Sequence, residues 1–300
     1  MKYEFIETYR NDFSVVRMCS AFRVRESGYY RWRKKKKTAR QEEDEKMLER
    51  IRRIHKESLE IYGPKRVQDT LKVEGVPCSI SRIRRLMREN GLYSISRKRF
   101  NPYPKEDIET RYSENDLDRD FDVEEPNAVW CGDITYIKTI EGWVYLAMVL
   151  DLFNREVIGY AMSKKPNSQL TMRAMAIALT NRKPQGRVLF HSDRGCQYSS
   201  KAYLGYLEEH NLASSMSRGG NPYDNACAES FFATLKKEWV HHRKYRNLEH
   251  LDQSLFEYIE LFYNRKRMHS RLDNLSPIEY YKRYKERKIE ETSIFGTEIV

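Results

Sequence analysis

Three runs of β-forming residues follow one another between residues 129 and 163, and they constrain the fold more than any other feature. They are VWCGDITYIKT, WVYLAMVLDLF and EVIGYAMS, with a turn at Glu141-Gly142 between the first two. Short connections allow consecutive strands to pair only antiparallel, because a parallel pair needs a crossover of about a dozen residues or more. The pattern therefore predicts an antiparallel meander of three strands.

Helices and strands alternate after this meander. A helical pattern over NSQLTMRAMAIALTNR precedes the apolar strand RVLFHSD, and helices over residues 200–211 and 224–239 flank a short strand at ASSMS. The order predicts an α/β fold with a mixed five-stranded sheet and helices packed on it. A long helix from about residue 247 and a helix beginning at Ser276-Pro277 follow.

The basic residues in excess are concentrated in the first third of the chain. The protein has a formal net charge of +11 at pH 7, and residues 1–100 account for it because the rest of the chain is close to neutral. This front end has helical patterns over residues 3–23 and 40–56. A basic front end joined to a near-neutral body suggests binding to a polyanion. A solvated helix surface is the alternative.

Residues 59–100 have the pattern of a helix-turn-helix unit. Pro64 suits the first turn of one helix, and Gly75-Val76-Pro77 interrupts it. Ser79 or Ser81 can cap a second helix. That helix carries four arginines suited to phosphates and guanine edges, namely Arg82, Arg84, Arg85 and Arg88. An ordinary helical hairpin with a basic face remains the alternative.

These changes of character divide the chain into five predicted segments. They are a helical basic region over 1–58, a helix-turn-helix DNA-binding unit over 59–100, an acidic linker over 101–127, a catalytic core over 128–240 and a helical tail over 241–300. The linker is predicted because its stretch is acid-rich, contains three prolines and shows no sustained hydrophobic period.

Cysteine and hydropathy patterns exclude several classes of protein. The five cysteines are far apart and form no Cys-x-x-Cys pair, which argues against a disulfide framework or a zinc finger. The sequence has no uncharged apolar stretch of ~18 residues, so no membrane span is expected. The first residues, MKYEFIETYR, lack the apolar centre of a signal peptide. We therefore expect a cytoplasmic protein.

Three acidic residues stand where a carboxylate is either costly or functional. Asp133 lies in the middle of a strand expected to be buried, and Asp193 ends a strand, where α/β proteins commonly build sites. Glu229 shares a predicted helix face with Asn225 and Lys236, at separations of four and seven residues. Carboxylates that converge without His or Cys suit Mg²⁺ or Mn²⁺. A set of structural ion pairs is the alternative.

The sequence words around these acids are more specific than their spacing. WCGDITYI, HSDRGCQYSS and SMSRGGNPYDNACAESFFATLKKE resemble signatures of bacterial insertion-sequence transposases of the IS-three family, in which a second reading frame encodes the catalytic core. The 35 residues between Asp193 and Glu229 resemble the D,D(35)E pattern of the integrase and transposase superfamily. Residues 62–92 resemble the family's helix-turn-helix, and YNRKRMHSRLDNLSPIEYY resembles its closing segment.

The resemblance implies an RNase H-like fold for the integrase catalytic core. Position by position, it implies a catalytic and metal-binding triad of Asp133, Asp193 and Glu229. It implies a two-metal site for Mg²⁺ or Mn²⁺ at this triad. It also implies DNA contacts by Lys236 and Asn225. His191 lies in the second word, and we expect it to hold Asp193 through a hydrogen bond.

The resemblance further implies a DNA transposase that cleaves strands at element ends and transfers them to target DNA. Its expected partners are DNA, other copies of the chain on DNA, and a first-reading-frame protein that is either separate or fused by frameshifting. Its expected location is the bacterial cytoplasm, with the nucleoid. Two alternatives stay open: a structure-specific DNA nuclease on the same fold, and a catalytically silent DNA-binding regulator of transposition.

Overall fold

The computed structural model describes residues 2–34, 38–95, 123–217 and 225–295. Residues 101–122 of the predicted acidic linker therefore lie outside the described residues. Within those four ranges, no helix is both long enough and apolar enough to cross a membrane.

In the described part of the front end, residues 2–34 and 38–95, the chain forms six α-helices. They are α1 (Lys2–Thr8), α2 (Val15–Ala21), α3 (Glu26–Lys34), α4 (Ala39–Glu57), α5 (Pro64–Val73) and α6 (Ile80–Glu89). The helical pattern predicted over residues 3–23 is interrupted, because the extended backbone of Ser14 starts a new helix there. Pro64 begins α5, and the Ser79 hydroxyl accepts a hydrogen bond from the Arg82 backbone at 3.3 Å. Both helices of the predicted pair therefore begin as expected.

A mixed five-stranded sheet lies at the centre of the molecule. Its strands are β1 (Val129–Thr139), β2 (Gly142–Asp151), β3 (Val157–Ser163), β4 (Val188–Ser192) and β5 (Leu212–Met216). The strand order is β3-β2-β1-β4-β5. The first three strands pair antiparallel, whereas β4 pairs parallel with β1 and with β5. The predicted meander and the mixed sheet of the RNase H-like fold are confirmed.

Helices cover both faces of this sheet. They are α7 (Ser168–Arg182), α8 (Lys201–Glu209) and α9 (Ala226–Glu238). Alternate residues of each strand point to opposite faces. Trp130 and Val149 pack in the cluster that contains α7 and α8, whereas Cys131 and Met148 pack in the cluster that contains α9. The sheet therefore presents its α9 face for a site that uses both β1 and α9.

The tail completes the larger of these hydrophobic clusters. It consists of α10 (Leu248–Phe256), a π-helical continuation over Glu257–Tyr263, and α11 (Pro277–Phe295). Ile51 of α4, Leu71 of α5 and Ile83 of α6 belong to the same cluster as Phe231 of α9 and Phe262 of the tail. The helix-turn-helix unit, the sheet and the tail thus share one core in the described ranges.

Polar contacts reinforce this shared core. The hydroxyl of Tyr62, just before α5, donates to the backbone oxygen of Lys266 at 3.2 Å and accepts from the backbone nitrogen of Met268 at 2.8 Å. Because the front helices complete the core, deleting residues 1–100 would expose apolar surface as well as remove basic side chains. Single substitutions are therefore the better test of the front end's role.

Candidate functional site

The two predicted catalytic aspartates lie on adjacent parallel strands. The last residues that pair between β1 and β4 are Gly132 and Ser192, so the next residue of each chain segment is an aspartate. Asp133 is half-buried within β1, and Asp193 directly follows β4. One oxygen of Asp193 accepts a hydrogen bond from the backbone nitrogen of Gly195 at 3.0 Å. Strand pairing therefore brings two carboxylates that are 60 residues apart in sequence to the point where β4 ends beside β1.

The charges of the three predicted triad residues act on one another. Burial is the main cause that raises the pKa of Asp133 to about 7, and the charges of Asp193 and Glu229 add to this rise. Burial also raises the pKa of Asp193, again with a contribution from Glu229 in the first turn of α9. Carboxylates that raise the pKa of their neighbours form one electrostatic cluster, which is a feature of functional sites.

The chemistry of this cluster fits a divalent cation. Among the described residues, no group of three acidic, His or Cys side chains is arranged to hold a metal ion as placed. All three triad side chains nevertheless offer carboxylate oxygens, which Mg²⁺ and Mn²⁺ prefer. A bound cation would relieve the repulsion that helps to raise the pKa of Asp133. The donor set is therefore suited to such an ion.

Lys236 stands beside the cluster. Burial lowers the pKa of its half-buried ammonium group, and the charge of Asp133 offsets part of this effect. Its Nζ atom lies 5.0 Å from the centre of the Tyr136 ring. Lys236 therefore has an acidic and an aromatic neighbour, both supplied by β1. Its predicted contact with DNA stays a prediction.

Asn225 immediately precedes α9 and is buried. Its side-chain oxygen has no hydrogen-bond partner in the described part of the chain. The preceding residues of the same sequence word, 218–224, lie outside the described residues. The DNA contact predicted for Asn225 is therefore untested.

The structure gives His191 a different neighbourhood from the one expected. The side chain is fully buried in β4, and its ring nitrogens lie 2.9 Å from the Ser215 hydroxyl and 3.2 Å from the Ser217 hydroxyl. These hydrogen bonds tie β4 to β5 and the segment that follows it. The expected support of Asp193 is supplied by the Gly195 backbone nitrogen instead, because both ring nitrogens of His191 face serines.

The four predicted DNA-contacting arginines of α6 divide into two pairs. Arg82 Nε lies 2.6 Å and Arg85 Nη2 2.5 Å from the two carboxylate oxygens of Asp44 on α4. The hydrogen bond from Arg85 is the main cause that lowers the pKa of Asp44. Arg84 and Arg88 are exposed and form no ion pair with another described residue. The first pair thus attaches α6 to α4, which the sequence did not indicate.

A buried ion-pair network at the end of α9 escaped the sequence analysis. Glu238, the last residue of α9, accepts hydrogen bonds from Arg267 at 2.8 and 2.9 Å, from the Tyr258 hydroxyl at 2.9 Å and from Arg66 at 3.1 Å. Burial raises the pKa of Glu238, but the Arg267 hydrogen bonds and charge outweigh it and hold the pKa below its usual value. The network connects α9 with α5 and with the tail.

No local signal could have found this network. Arg66 and Glu238 are 172 residues apart, and Arg267 follows 29 residues after Glu238. Helical periodicity relates only residues within a few turns, so such pairs emerge only when the helices pack.

Comparison with family models first defines the class. A model described as "Integrase core domain" matches residues 123–222, and a second model with the same description matches residues 229–284. A model described as "HTH-like domain" matches residues 41–100. The chain is therefore an enzyme of the DDE transposase and integrase class, with a helix-turn-helix-like region before its core.

Comparison with similar protein sequences defines the family. The chain is 40% identical over 282 residues to "Transposase InsF for insertion sequence IS3A" of Escherichia coli strain K12, which covers 93% of this chain and 98% of the relative. It is 38% identical over 267 residues to "Insertion element IS600 uncharacterized 31 kDa protein" of Shigella sonnei, covering 89% and 98%. The chain belongs to the IS-three family of insertion-sequence transposases.

Solved structures are similar at a lower level. A simian T-cell lymphotropic virus intasome chain matches with a TM-score of 0.45 and 16% identity over 71% of this chain and 69% of that chain. The catalytic domain of the Mos1 mariner transposase matches with a TM-score of 0.39 and 17% identity, covering 45% and 70%. The magnesium complex of the HTLV-2 integrase catalytic core has a TM-score of 0.41 and 16% identity, covering 52% and 96%.

Proposed function

We propose that the chain cleaves and transfers DNA strands at the ends of an insertion sequence, with Asp133, Asp193 and Glu229 as its catalytic carboxylates. The observation that carries the proposal is the electrostatic cluster at the point where β4 ends beside β1. Structural ion pairs would lower the pKa values of buried acids, whereas those of Asp133 and Asp193 are raised. This difference supports a cation site over a set of structural ion pairs.

The three carboxylates would hold one or two Mg²⁺ or Mn²⁺ ions. Such ions, when bound, help to activate an attacking oxygen and stabilise the leaving oxygen of a phosphodiester. The Gly195 backbone nitrogen orients the Asp193 carboxylate for this role. The Lys236 ammonium beside Asp133 is suited to a non-bridging phosphate oxygen.

The proposed reaction has two displacements. A water oxygen attacks the phosphodiester at the element end, and the broken bond leaves a free 3′-hydroxyl. That hydroxyl then attacks a phosphodiester of the target strand, so one P–O bond forms as another breaks. Because each displacement has an oxygen nucleophile from water or DNA, no side chain has to form a covalent intermediate.

A cleavage and strand-transfer assay tests this function. Purified full-length protein is mixed with labelled DNA that carries the element's ends, in Mg²⁺, in Mn²⁺ or in EDTA. We expect joined products that depend on the metal ion and disappear with Asp193→Asn. Cleavage without joining would identify a nuclease, and DNA binding without either reaction would favour a regulator. Adding the first-reading-frame protein, separate or fused, distinguishes a regulator from an incomplete transposase.

We also propose that the helix-turn-helix unit holds DNA mainly through phosphates. A cleft of about 630 Å³ lies between α5, α6 and α9, and Lys65, Arg84 and Lys237 are among its lining residues. Three cations along one open cleft provide the charge that a DNA backbone requires. The cleft would bring DNA bound to the front end against the catalytic helix.

Arginine substitutions in α6 separate DNA binding from helix packing. We expect Arg84→Ala with Arg88→Ala to weaken binding to duplex DNA and to reduce the slope of log affinity against log salt by about one per lost phosphate contact. The thermal midpoint should stay unchanged, because both side chains are exposed. Fluorescence anisotropy across a salt series and thermal unfolding measure the two effects.

The matched control is Arg82→Ala with Arg85→Ala in the same helix. This variant removes both partners of Asp44, so it should lower the thermal midpoint. An unchanged salt slope for Arg84→Ala with Arg88→Ala would contradict the proposed phosphate contacts.

The remaining proposals concern assembly and organisation. We propose that several copies act together on DNA, since two element ends must be processed and each chain carries one candidate site. We propose a first-reading-frame protein as a partner and the bacterial nucleoid as the place of action. We retain the two-metal site and the five segments 1–58, 59–100, 101–127, 128–240 and 241–300 as proposals.

A further inference from the structure

An exposed aromatic surface lies near the turn of the β1–β2 hairpin. Tyr136 pairs with Tyr145 and Lys138 pairs with Trp143, which places these four side chains on the same face of the hairpin. Tyr136 is 57% exposed and Trp143 is 50% exposed. Their rings meet edge to face with centres 5.2 Å apart. We call Tyr136, Lys138 and Trp143 the hairpin platform.

Exposure of two large rings calls for an explanation. Most large aromatic side chains near the sheet are buried, including Trp130 and Tyr198, each with at most 2% of its surface exposed. Residues of the hairpin that alternate with the platform, Ile137 and Val144, are also buried. Neighbouring exposed aromatic side chains commonly mark a binding surface rather than a failure of packing. The platform is therefore available to a ligand that offers a flat apolar face.

Two lysines beside the rings favour a ligand that is negatively charged. Lys236 Nζ lies 5.0 Å from the centre of the Tyr136 ring, and Lys138 Nζ lies 5.9 Å from the centre of the Trp143 ring. Flat apolar faces joined by negative charges are the chemistry of single-stranded nucleic acid, which binds where aromatic side chains and cations alternate.

The platform lies next to the triad across the unpaired edge of β1. β4 pairs with β1 only as far as Gly132, so in the described residues the second edge of β1 is unpaired from Asp133 onward. Tyr136 follows Asp133 by three residues, so its side chain leaves β1 on the face opposite to that of Asp133. At this unpaired edge Lys236 has both as neighbours, with its Nζ atom 5.0 Å from the centre of the Tyr136 ring. A DNA strand whose phosphodiester lies at the triad would meet the platform after it passes this edge, about 10 Å away, because three residues of a strand span about 10 Å.

We propose that the hairpin platform stacks unpaired nucleobases of the DNA strand held at the triad. The inference rests on the proposed function and extends it from phosphate chemistry to base contacts. Stacking requires an uncovered base face. The platform therefore binds frayed or single-stranded nucleotides and does not bind the stacked base pairs inside an intact duplex. Because every base has a π-face, the contact does not depend on sequence.

Binding to two related DNA probes tests the platform. The probes are a blunt labelled duplex and the same duplex with a short oligothymidine extension, measured by anisotropy with the full chain in EDTA. We expect Tyr136→Ala and Trp143→Ala each to weaken binding of the extended probe roughly tenfold, with the blunt duplex unchanged. Tyr136→Phe keeps the ring and should bind like the parent. Phe256→Ala removes another ring that is 51% exposed, on α10, and should have no effect.

Equal loss for both probes would overturn the proposal, because it would indicate a general effect on phosphate binding or on the placement of Lys236. Unchanged DNA binding with an altered oligomeric state would also overturn it, by assigning the surface to a contact between protein copies. Strand transfer is measured separately in Mg²⁺. Joining by the parent without a platform effect would refute the platform alone. A platform effect without joining, even after the first-reading-frame protein is added, would refute the transferase function alone.

Discussion

Asp133→Asn is expected to give a protein that is more stable than the parent in metal-free buffer yet transfers no DNA strands. The carboxylate is partly buried and close to two other acids, and its pKa is raised to about 7. Above pH 7 the ionised Asp133 carboxylate costs more free energy in the folded protein than in the unfolded chain. The neutral isostere should therefore raise the free energy of unfolding by up to about 4 kcal/mol. Losing one carboxylate should reduce strand transfer on the order of 10³-fold or more.

Thermal unfolding with and without Mg²⁺ completes this test at pH 8. A cation bound only by the folded parent should raise the thermal midpoint of the parent and not that of Asp133→Asn. Asp252→Asn, an exposed acid on α10, is the matched control and should change neither quantity. A destabilised Asp133→Asn protein would mean that the carboxylate has a structural role, and retained strand transfer would remove it from the triad.

Glu238→Gln is expected to cause the largest loss of stability from a single conservative change. The side chains of Glu238 and Arg267 are each 7% exposed and form two hydrogen bonds with each other. Glutamine keeps the shape but leaves the Arg267 guanidinium buried without its counter-charge. Breaking a buried ion pair in this way lowers the free energy of unfolding by about 3–5 kcal/mol. Urea unfolding of the full chain measures the effect.

An exposed ion pair provides the comparison for Glu238→Gln. Arg53 and Glu74 lie 2.6 Å apart, but the Arg53 side chain is 46% exposed. Glu74→Gln should therefore lower the free energy of unfolding by about 1 kcal/mol or less. Equal losses for the two variants would show that burial does not set the strength of the Glu238 network. A near-neutral Glu238→Gln would show that the network is not needed to join α9 to α5 and the tail.

Local patterns in the sequence were sufficient for the elements of the fold. Continuous apolar runs and the turn at Glu141-Gly142 led to the meander, and a first-turn proline and a capping serine led to α5 and α6. These signals are reliable because they act over a few neighbouring residues. The break between α1 and α2 was missed, since Ser14 is a weak interruption within an otherwise helical pattern.

The candidate site was only partly accessible from sequence. The words around Asp133, Asp193 and Glu229 identified the family, which the relatives confirm. Register then brought two of these acids to one sheet edge, and the charges of all three act on one another. The hydrogen-bond partners of His191 were not predictable, because they depend on which residues of β5 lie opposite β4.

Residue types and short-range spacing were therefore enough to predict the helices, the strands, the family and the acids that we propose for catalysis. The Asp44 ion pairs, the Glu238 network and the exposed hairpin platform became visible only in the folded chain. Each depends on contacts or burial that arise when distant elements pack, as with the 172 residues between Arg66 and Glu238. Local propensity carries no information on such pairs, because their free energy exists only once the helices and strands have found their packing partners.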